Sequence, residues 1–374
     1  MRVLHIGKLC PPNEGGTEVF SYDLLEALNK KGVEADLLCF GNSTKEDLYN
    51  GFKYYSCKMN VKLNSAPLSY DFIKVFRKII NNYDIIHVHS PNPLAETLLL
   101  TTNKKIIIHW HLDIVRQKIS YLFYKPIQRK FLQKSDKIIV TSPQYLESSK
   151  QLEGYKNKAV VIPLGLDPKR LEVKEEDLDE FKRISDIVKG KKVVLAIGRL
   201  VEYKGFEYLV ESGKFVKNDT IILIAGRGPL YNHLQNKIQK LNLMDKVVLL
   251  GRVNNVSTFM KNCDLFCLPS IGRNEAFGLV LLEALYFGKP LVTTNVEGAG
   301  MNYVNKHNET GLIVPPKDPK ALASAINQIL SDEVFYNKLS KNALVRFEEF
   351  KIDAVADKVI VLYEEIEGNK KSVN

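Results

Sequence analysis

The stretch that decides the fold runs from Pro269 to Pro290, PSIGRNEAFGLVLLEALYFGKP. The apolar run before it, Asp264 to Leu268, has no alternating polar residues and reads as a buried parallel strand ending at Pro269 and Ser270. A short polar loop follows with Arg273, Asn274 and Glu275, and then Leu279 to Phe287 has helical length and propensity, stopped by Gly288 and Pro290. The loop thus leaves the carboxyl end of a strand and feeds a helix amino terminus. Open α/β sheets take their ligands at such points, and unpaired N–H groups there attract phosphate.

Two carboxylates stand out, Glu275 before the helix and Glu283 inside it, eight positions apart. Eight helical positions rise roughly 12 Å, against the ~5 Å that a double-displacement glycosidase needs between its carboxylates. The spacing therefore points to two separate jobs, one facing a ligand and one fixing a more distant group. Taken alone, the same stretch is equally a polar loop residue and a solvated helix glutamate.

Outward from here, strands and helices alternate along the whole chain, which predicts parallel sheets with helices on both faces. In the first half the expected strands are Arg2–Ile6, Ala35–Phe40, Ile85–His89, Lys105–His109, Lys137–Thr141 and Ala159–Pro163, with helices over Thr17–Lys31, Ser65–Asn82 and Lys118–Lys134, the last broken or restarted at Pro126. The acidic run Glu172–Glu180 reads as a linker, and Phe181–Lys189 as a short helix. A second alternating series begins at Lys192, with strands Val193–Ile197, Thr220–Ala225, Lys246–Leu250, Asp264–Leu268, Pro290–Thr293 and Leu312–Val314. Helices Phe206–Phe215, Leu230–Leu241, Val256–Lys261, Leu279–Phe287, Pro319–Leu330, Glu333–Glu349 and Ile352–Ile366 complete it. The expectation is an α/β protein of two doubly wound, Rossmann-like domains, residues 1–165 and 166–351, facing across a cleft, with a disordered tail at 368–374.

The 374 residues suit two or three domains, and 45% hydrophobic and 26% charged residues suit a globular enzyme. No apolar run reaches the ~18 residues of a membrane span, and the amino terminus reads as a first strand rather than a secretory signal, so a cytoplasmic location is expected. Five cysteines without C-x-x-C spacing read as reduced, mostly buried thiols. A net charge of +10 favours an anionic partner.

Four strand exits carry chemistry. Gly15-Gly16 opens a helix and lets backbone approach a ligand, though a structural turn fits equally. Gly198-Arg199 to Lys204-Gly205 places two cations where a departing diphosphate would gain charge; a pair of solvated charges is the plain alternative. Gly226 sits in a third glycine loop, and Val253 follows a fourth exit suited to meet a nucleotide base through its backbone. Two H-x-H pairs, His87/His89 and His109/His111, lie at strand ends, where i and i+2 share a face. They could form a four-histidine metal site, but no carboxylate or cysteine is spaced to complete it, so one or two are expected to bond a substrate hydroxyl while the rest pack. Asp113 could orient His111 or bond an acceptor. The segment 116–137 mixes seven basic residues with aromatic ones and Asp136 as its one acid. It reads either as a membrane-surface helix or as a helix with a buried apolar face.

Together, GGTE, HWHLDIVRQK, GRLVEYKG and EAFGLVLLE, in this order, resemble glycosyltransferase family 4, a retaining family of GT-B architecture, over nearly the whole chain. The resemblance implies sugar transfer from a nucleotide-sugar. It places the active-site histidine at His111, the diphosphate-holding cations at Arg199 and Lys204, and a sugar-binding carboxylate at Glu275. Backbone groups near Phe277, Gly278 and Leu279 would hold sugar and phosphate, Glu283 would meet the ribose, and Gly16, beside Gly15, would approach the diphosphate. It further implies no metal or other cofactor, no protein nucleophile, and a last helix, about 352–366, crossing back to the first domain. HLDIVRQK, FYKPIQRKFL, TSPQYLESS and VIPLGLDP resemble bacterial transferases that build O-antigen, capsule or exopolysaccharide on a lipid carrier, several using GDP-mannose. The expected partners are therefore a nucleotide-sugar, GDP-mannose before a UDP-sugar, a lipid-linked or glycan acceptor touched by Asp113 and Arg116, and the anionic inner face of the membrane through 116–137; no nucleic acid is expected. The same architecture leaves open a nucleotide-sugar epimerase, a phosphorylase or a non-catalytic sugar-nucleotide-binding module.

Overall fold

The computed structural model describes residues 1–12, 15–63, 66–114, 118–173 and 178–368. It divides into two units, 1–165 with 352–374, and 166–351, so the chain passes between them at Gly165 and again before Ile352.

The first unit holds an eight-stranded sheet in the order β10-β9-β8-β7-β1-β2-β4-β3. These strands are β1 (Arg2–Leu9), β2 (Glu34–Gly41), β3 (Lys45–Tyr49), β4 (Phe52–Lys58), β7 (Ile85–Ser90), β8 (Lys105–Trp110), β9 (Lys137–Val140) and β10 (Ala159–Val161), all parallel except the β3–β4 hairpin. The central strands are buried along their length, which is why they read as unbroken apolar runs. Helices α1 (Gly16–Lys30) and α15 (Ile352–Glu367) pack on each other in this unit. Tyr363 of α15 is fully buried, and Lys137 Nζ pairs with Glu365 at 2.7 Å.

Several expectations are corrected here. No strand was expected between Phe40 and Ile85, yet β3, β4 and a small antiparallel pair, β5 (Val61–Leu63) with β6 (Ala66–Leu68), lie there. The next helix, α2, therefore begins only at Tyr70, where Ser69 caps it by accepting from Phe72 N. Short helices α3 (Pro93–Leu99) and α5 (Pro143–Ser148) follow Asn92 and Ser142, each an amino cap before a first-turn proline. Helix α4 (Lys118–Lys134) runs unbroken through Pro126. Cys10 and Cys39 are joined in a disulfide with Cα atoms 5.3 Å apart, because β1 extends past Ile6 and lays Leu9 beside Phe40 on β2. Cys57, Cys263 and Cys267 are buried thiols, and burial pushes Cys57 and Cys263 up to about 12.

The second unit holds a six-stranded, fully parallel sheet in the order β13-β12-β11-β14-β15-β16. Its strands are β11 (Lys192–Ile197), β12 (Thr220–Ala225), β13 (Val247–Gly251), β14 (Leu265–Leu268), β15 (Leu291–Thr294) and β16 (Gly311–Val314). Val194, Ile222, Ile224, Leu265 and Cys267 are its sealed centre, packed against Leu209, Leu234, Leu322 and Ile326 from the helices. The helix after the deciding stretch, α11, spans Val280–Tyr286. The expected linker becomes in part a helix, α6 (Leu178–Lys182); residues 174–177 and the tail 369–374 lie outside the described residues. Among the described residues no helix is long and apolar enough to cross a membrane.

Candidate active site

In the second unit the strand order reverses between β11 and β14, and a reversal opens a crevice at the strands' carboxyl ends. The exits of those two strands meet there. Ile271 N, after β14, donates to Tyr203 O, after β11, at 2.7 Å. Gly205 has φ +67°, and a Cβ at that position would meet Pro269 O at 2.1 Å, so only glycine lets the loops close. The closure sets Lys204 Nζ 2.5 Å from Glu275 Oε2, with both side chains only about a tenth exposed (12% and 11%). Ser270 Oγ donates to the same carboxylate oxygen at 3.2 Å. An ammonium carries three donors, so this pair leaves Lys204 able to reach an anion as well.

Three adjacent strands, β13, β12 and β11, end in the same dipeptide: Gly251-Arg252, Gly226-Arg227 and Gly198-Arg199. Backbone bonds lace the exits together, Gly198 N to Ala225 O at 3.0 Å, Leu200 N to Arg227 O at 2.9 Å and Gly226 N to Gly251 O at 2.6 Å. Around them lies a cavity of about 280 Å3, lined by Gly198, Arg199, Gly226, Arg227, Arg252 and Val253 among others. Arg227 and Arg252 were not among the residues singled out from the sequence. The repeated Gly-Arg at successive strand ends was the available signal.

At the head of α11 the side chain of Phe277 is buried, edge-on to Phe350, so its ring is committed to packing. The N–H groups of Phe277, Gly278 and Leu279 have no acceptor among the described residues. Glu283 lies one turn into α11, partly exposed, and withdrawal from water pushes its carboxyl up to about 7.

In the first unit Gly15 is the extended amino cap of α1, with Gly16 the first helical residue. The histidines form a stack across three strands. Register puts His5 beside His87 and His89 beside His109, and His111 follows just past β8. His109 and His111 rings are parallel within 7°, and His89 and His111 within 8°. All five are buried and pushed below the usual histidine range by burial and by one another, His89, by burial alone, to about 3. His5 was not singled out beforehand, because a lone apolar-strand histidine carries no spacing signal. Asp113 Oδ1 accepts from Trp110 Nε1 at 3.1 Å and Ser149 Oγ at 2.7 Å, so it braces the loop after β8, while His111 Nε2 meets His89 Nδ1 at 2.9 Å. Arg116 lies outside the described residues. The groups His5/His87/His89 and His89/His109/His111 each bring three nitrogens within 4.8 Å, close enough to consider a metal. Most of these nitrogens, however, face one another or Tyr363 and are already engaged in hydrogen bonds.

Helix α4 answers the two readings of the basic segment in different places. Phe131 and Leu132 are in the core, and Tyr124 donates to the buried Glu96 carboxylate, which burial pushes up to about 7. Leu122 and Phe123 instead stand in solvent, 68% and 80% exposed.

These two doubly wound units, with charged strand exits at a reversal of strand order, define a glycosyltransferase of the GT-B fold. Residues 14–170 match the model described as Glycosyltransferase Family 4, and residues 177–346 the one described as Glycosyl transferases group 1. The chain belongs to this family. It is 31% identical to O-antigen chain mannosyltransferase C of Escherichia coli, over 97% of this chain and 98% of that one. It is 30% identical to D-rhamnosyltransferase WbpZ of Pseudomonas aeruginosa, over 93% and 92% of the two chains. Among solved structures, Anabaena HepE in complex with UDP superimposes with a TM-score of 0.78 at 19% identity, covering 98% of this chain and all of the other.

Proposed function

We propose that the protein transfers a hexose, mannose or a close relative, from its GDP-sugar to a lipid-linked saccharide in cell-surface polysaccharide synthesis, with retention at the anomeric carbon. The observation that carries this reading is the buried Lys204–Glu275 pair beside the three Gly-Arg exits. Arg199 and Lys204 would take up the charge that grows on the departing diphosphate, Glu275 would accept from donor-sugar hydroxyls, and the N–H groups at 277–279 would hold sugar and phosphate. His111 and the Gly15-Gly16 turn, on the first unit, would contact the substrates there, and Asp113 would shape the acceptor loop. Support for the sugar class comes from the mannosyl- and rhamnosyltransferase relatives. Support for a nucleotide donor comes from HepE, which was solved with UDP and with UDP-glucose. These cations and N–H groups do the charge work, so transfer is expected to need no metal and no protein nucleophile.

The test is a donor screen followed by transfer. GDP-mannose at a hundred times its dissociation constant should stabilise the protein by about 2.7 kcal/mol, and product NMR should show the donor's anomeric configuration, unaffected by chelator. Stabilisation by a UDP-sugar alone would replace the GDP assignment. Donor binding without turnover over a lipid-linked acceptor panel would leave a sugar-nucleotide-binding module instead.

Glu283 gives a pH test of donor binding. Its carboxyl titrates near 7 in the free protein, and ribose hydroxyls would donate to the ionised form. Binding should therefore lower its pKa, release a proton below pH 7, and tighten about tenfold from pH 6 to pH 8. Calorimetry in two buffers of different ionisation heat reads the proton directly; no release would remove Glu283 from the ribose site.

Leu122 and Phe123 support a peripheral membrane role, since two large apolar side chains in solvent on a basic helix suit insertion into an anionic surface. Each gains about 1.5–3 kcal/mol when buried. The L122S/F123S variant is expected to bind phosphatidylglycerol vesicles at least about tenfold more weakly while folding normally. Equal binding by both proteins in a sedimentation assay would count against the membrane reading.

A further inference from the structure

The buried histidines and Tyr363 form one unbroken chain of hydrogen bonds. From the deep end, His109 Nδ1 meets His87 Nε2 at 3.2 Å, and His87 Nδ1 meets Tyr363 Oη at 2.6 Å. Tyr363 Oη meets His5 Nε2 at 3.0 Å, His5 Nδ1 meets His89 Nε2 at 3.2 Å, and His89 Nδ1 meets His111 Nε2 at 2.9 Å. Every ring except the two terminal ones uses both nitrogens. The far end, His109 Nε2, is sealed from solvent with no partner among the described residues.

Such a chain has a direction. A neutral imidazole carries one proton, so each ring donates at one nitrogen and accepts at the other. If the protons point toward the deep end, His109 Nε2 must bear a hydrogen that is buried and bonded to nothing. If both neighbouring histidines donate to Tyr363, the phenol hydrogen is stranded instead. If the protons point outward, the only unmet atom sealed from solvent is a bare lone pair on His109 Nε2; every N–H and O–H inside the chain finds an acceptor, and the last one, His111 Nδ1–H, is left at the open end. Buried unmet donors are the rarer and costlier case.

We infer that Tyr363 and the histidine ladder hold His111 in a single tautomer, with Nε2 accepting from His89 and the proton on Nδ1, so that His111 presents a hydrogen-bond donor to the substrate. Tyr363 is then a positioning residue, the one link in the chain supplied by the carboxyl-terminal helix. The ladder is set by strand register: His5 beside His87 and His89 beside His109, one face of the sheet, with Phe20 of α1 edge-on to His89, His109 and His111. Burial keeps all five rings neutral, which the alternation of donor and acceptor needs. The substrate part of this inference rests on the role proposed above for His111; the tautomer does not.

The experiment is nitrogen-15 NMR of protein labelled in its seven histidines, whose ring shifts distinguish Nδ1–H from Nε2–H. Wild-type His111 is expected as Nδ1–H only. In Tyr363→Phe, which keeps the ring and removes the hydroxyl, a water filling the space can donate to or accept from His5 Nε2 and His87 Nδ1 independently, so the proton direction is no longer tied to His109 and His111 should show both tautomers. Transfer by that variant is expected to lose roughly tenfold in kcat, the worth of about one hydrogen bond, with the donor KM changed by less than about twofold. A mainly Nε2–H His111 in the wild type overturns the inference, and needs no variant to fold. So does a metal ion found at one equivalent in the purified protein with these ring nitrogens shifted by it. An unchanged His111 tautomer in Tyr363→Phe overturns the part given to Tyr363. If His111→Ala keeps full activity while the wild-type tautomer is Nδ1–H, the substrate role fails and the ladder stands.

Discussion

Replacing Glu275 with alanine is expected to lower kcat/KM for sugar transfer by about a thousandfold, the largest effect of any single side chain here. Lys204 would be left in a mostly buried position with its partner gone. Loss of a preorganised group that meets the reacting substrate costs about 2.7–4 kcal/mol, up to about a thousandfold in rate, and the uncompensated buried charge costs about 3–5 kcal/mol besides. Part of that cost falls on stability, so the variant alone mixes folding with chemistry. Glu275→Gln separates them. The amide keeps an oxygen for the Ser270 hydroxyl, 3.2 Å away in the native protein, but not the charge that faces Lys204. Its melting temperature is expected above that of Glu275→Ala, because the amide oxygen can still accept from Lys204 and Ser270, while transfer stays reduced at least about a hundredfold. Full activity in Glu275→Gln would show that the carboxylate charge serves the fold and not the reaction.

Gly226→Ala should produce the second-largest loss. A Cβ at this position would lie 1.9 Å from Gly198 O, at a backbone φ of +150° that side chains disfavour. The obstacle is backbone, held by the Gly198–Ala225 and Gly226–Gly251 hydrogen bonds, and cannot turn aside as a side chain would. The exits of β11 and β12 must therefore part. Overpacking of this kind costs about 1–3 kcal/mol, read as a lower urea midpoint. Because the same exits line the cavity, donor affinity should fall more than about tenfold, a separate measurement. Gly251→Ala is the control: it also has positive φ, +71°, but nothing stands within 4 Å of its added Cβ. It should show only the local backbone penalty of about 1–2 kcal/mol and leave the lining of the cavity in place. Equal donor affinity in both variants would mean that the exits tolerate separation and the cavity is not the donor site.

How legible the molecule was varied by element. The parallel strands were readable because each is buried on both faces, so its whole length is apolar: Thr220–Ala225 is found with the bounds expected, and β11, β14 and β15 within one residue. The edge of the first sheet was not readable. Residues 41–62 are polar and half exposed, and β3 is solvent-facing over nearly its full length, so no period marks it. Pro126 suggested a break that α4 does not make, since a proline removes one helical bond while the packed side chains Phe131 and Leu132 hold the last turns in place. Cys10 and Cys39 could not be paired from spacing, because their meeting depends on how far β1 runs beside β2.

At the candidate site the same division holds. By itself the sequence determined that Glu275, Lys204, Arg199, Gly226 and His111 all leave strand ends, since an apolar run followed by glycine or a polar loop is a local signal. It determined the α/β class and the family likeness for the same reason. Only the tertiary structure decided which exits are neighbours. Setting β11 beside β14 turned two distant residues into an ion pair, and setting β13, β12 and β11 in a row gathered Arg199, Arg227 and Arg252 around one cavity. Register between β1, β7 and β8, with α15 returned to the first unit, made five histidines and Tyr363 one hydrogen-bonded chain. Strand order and register come from crossover connections and side-chain packing across many residues, and periodicity within one segment carries no record of which strand will lie beside it.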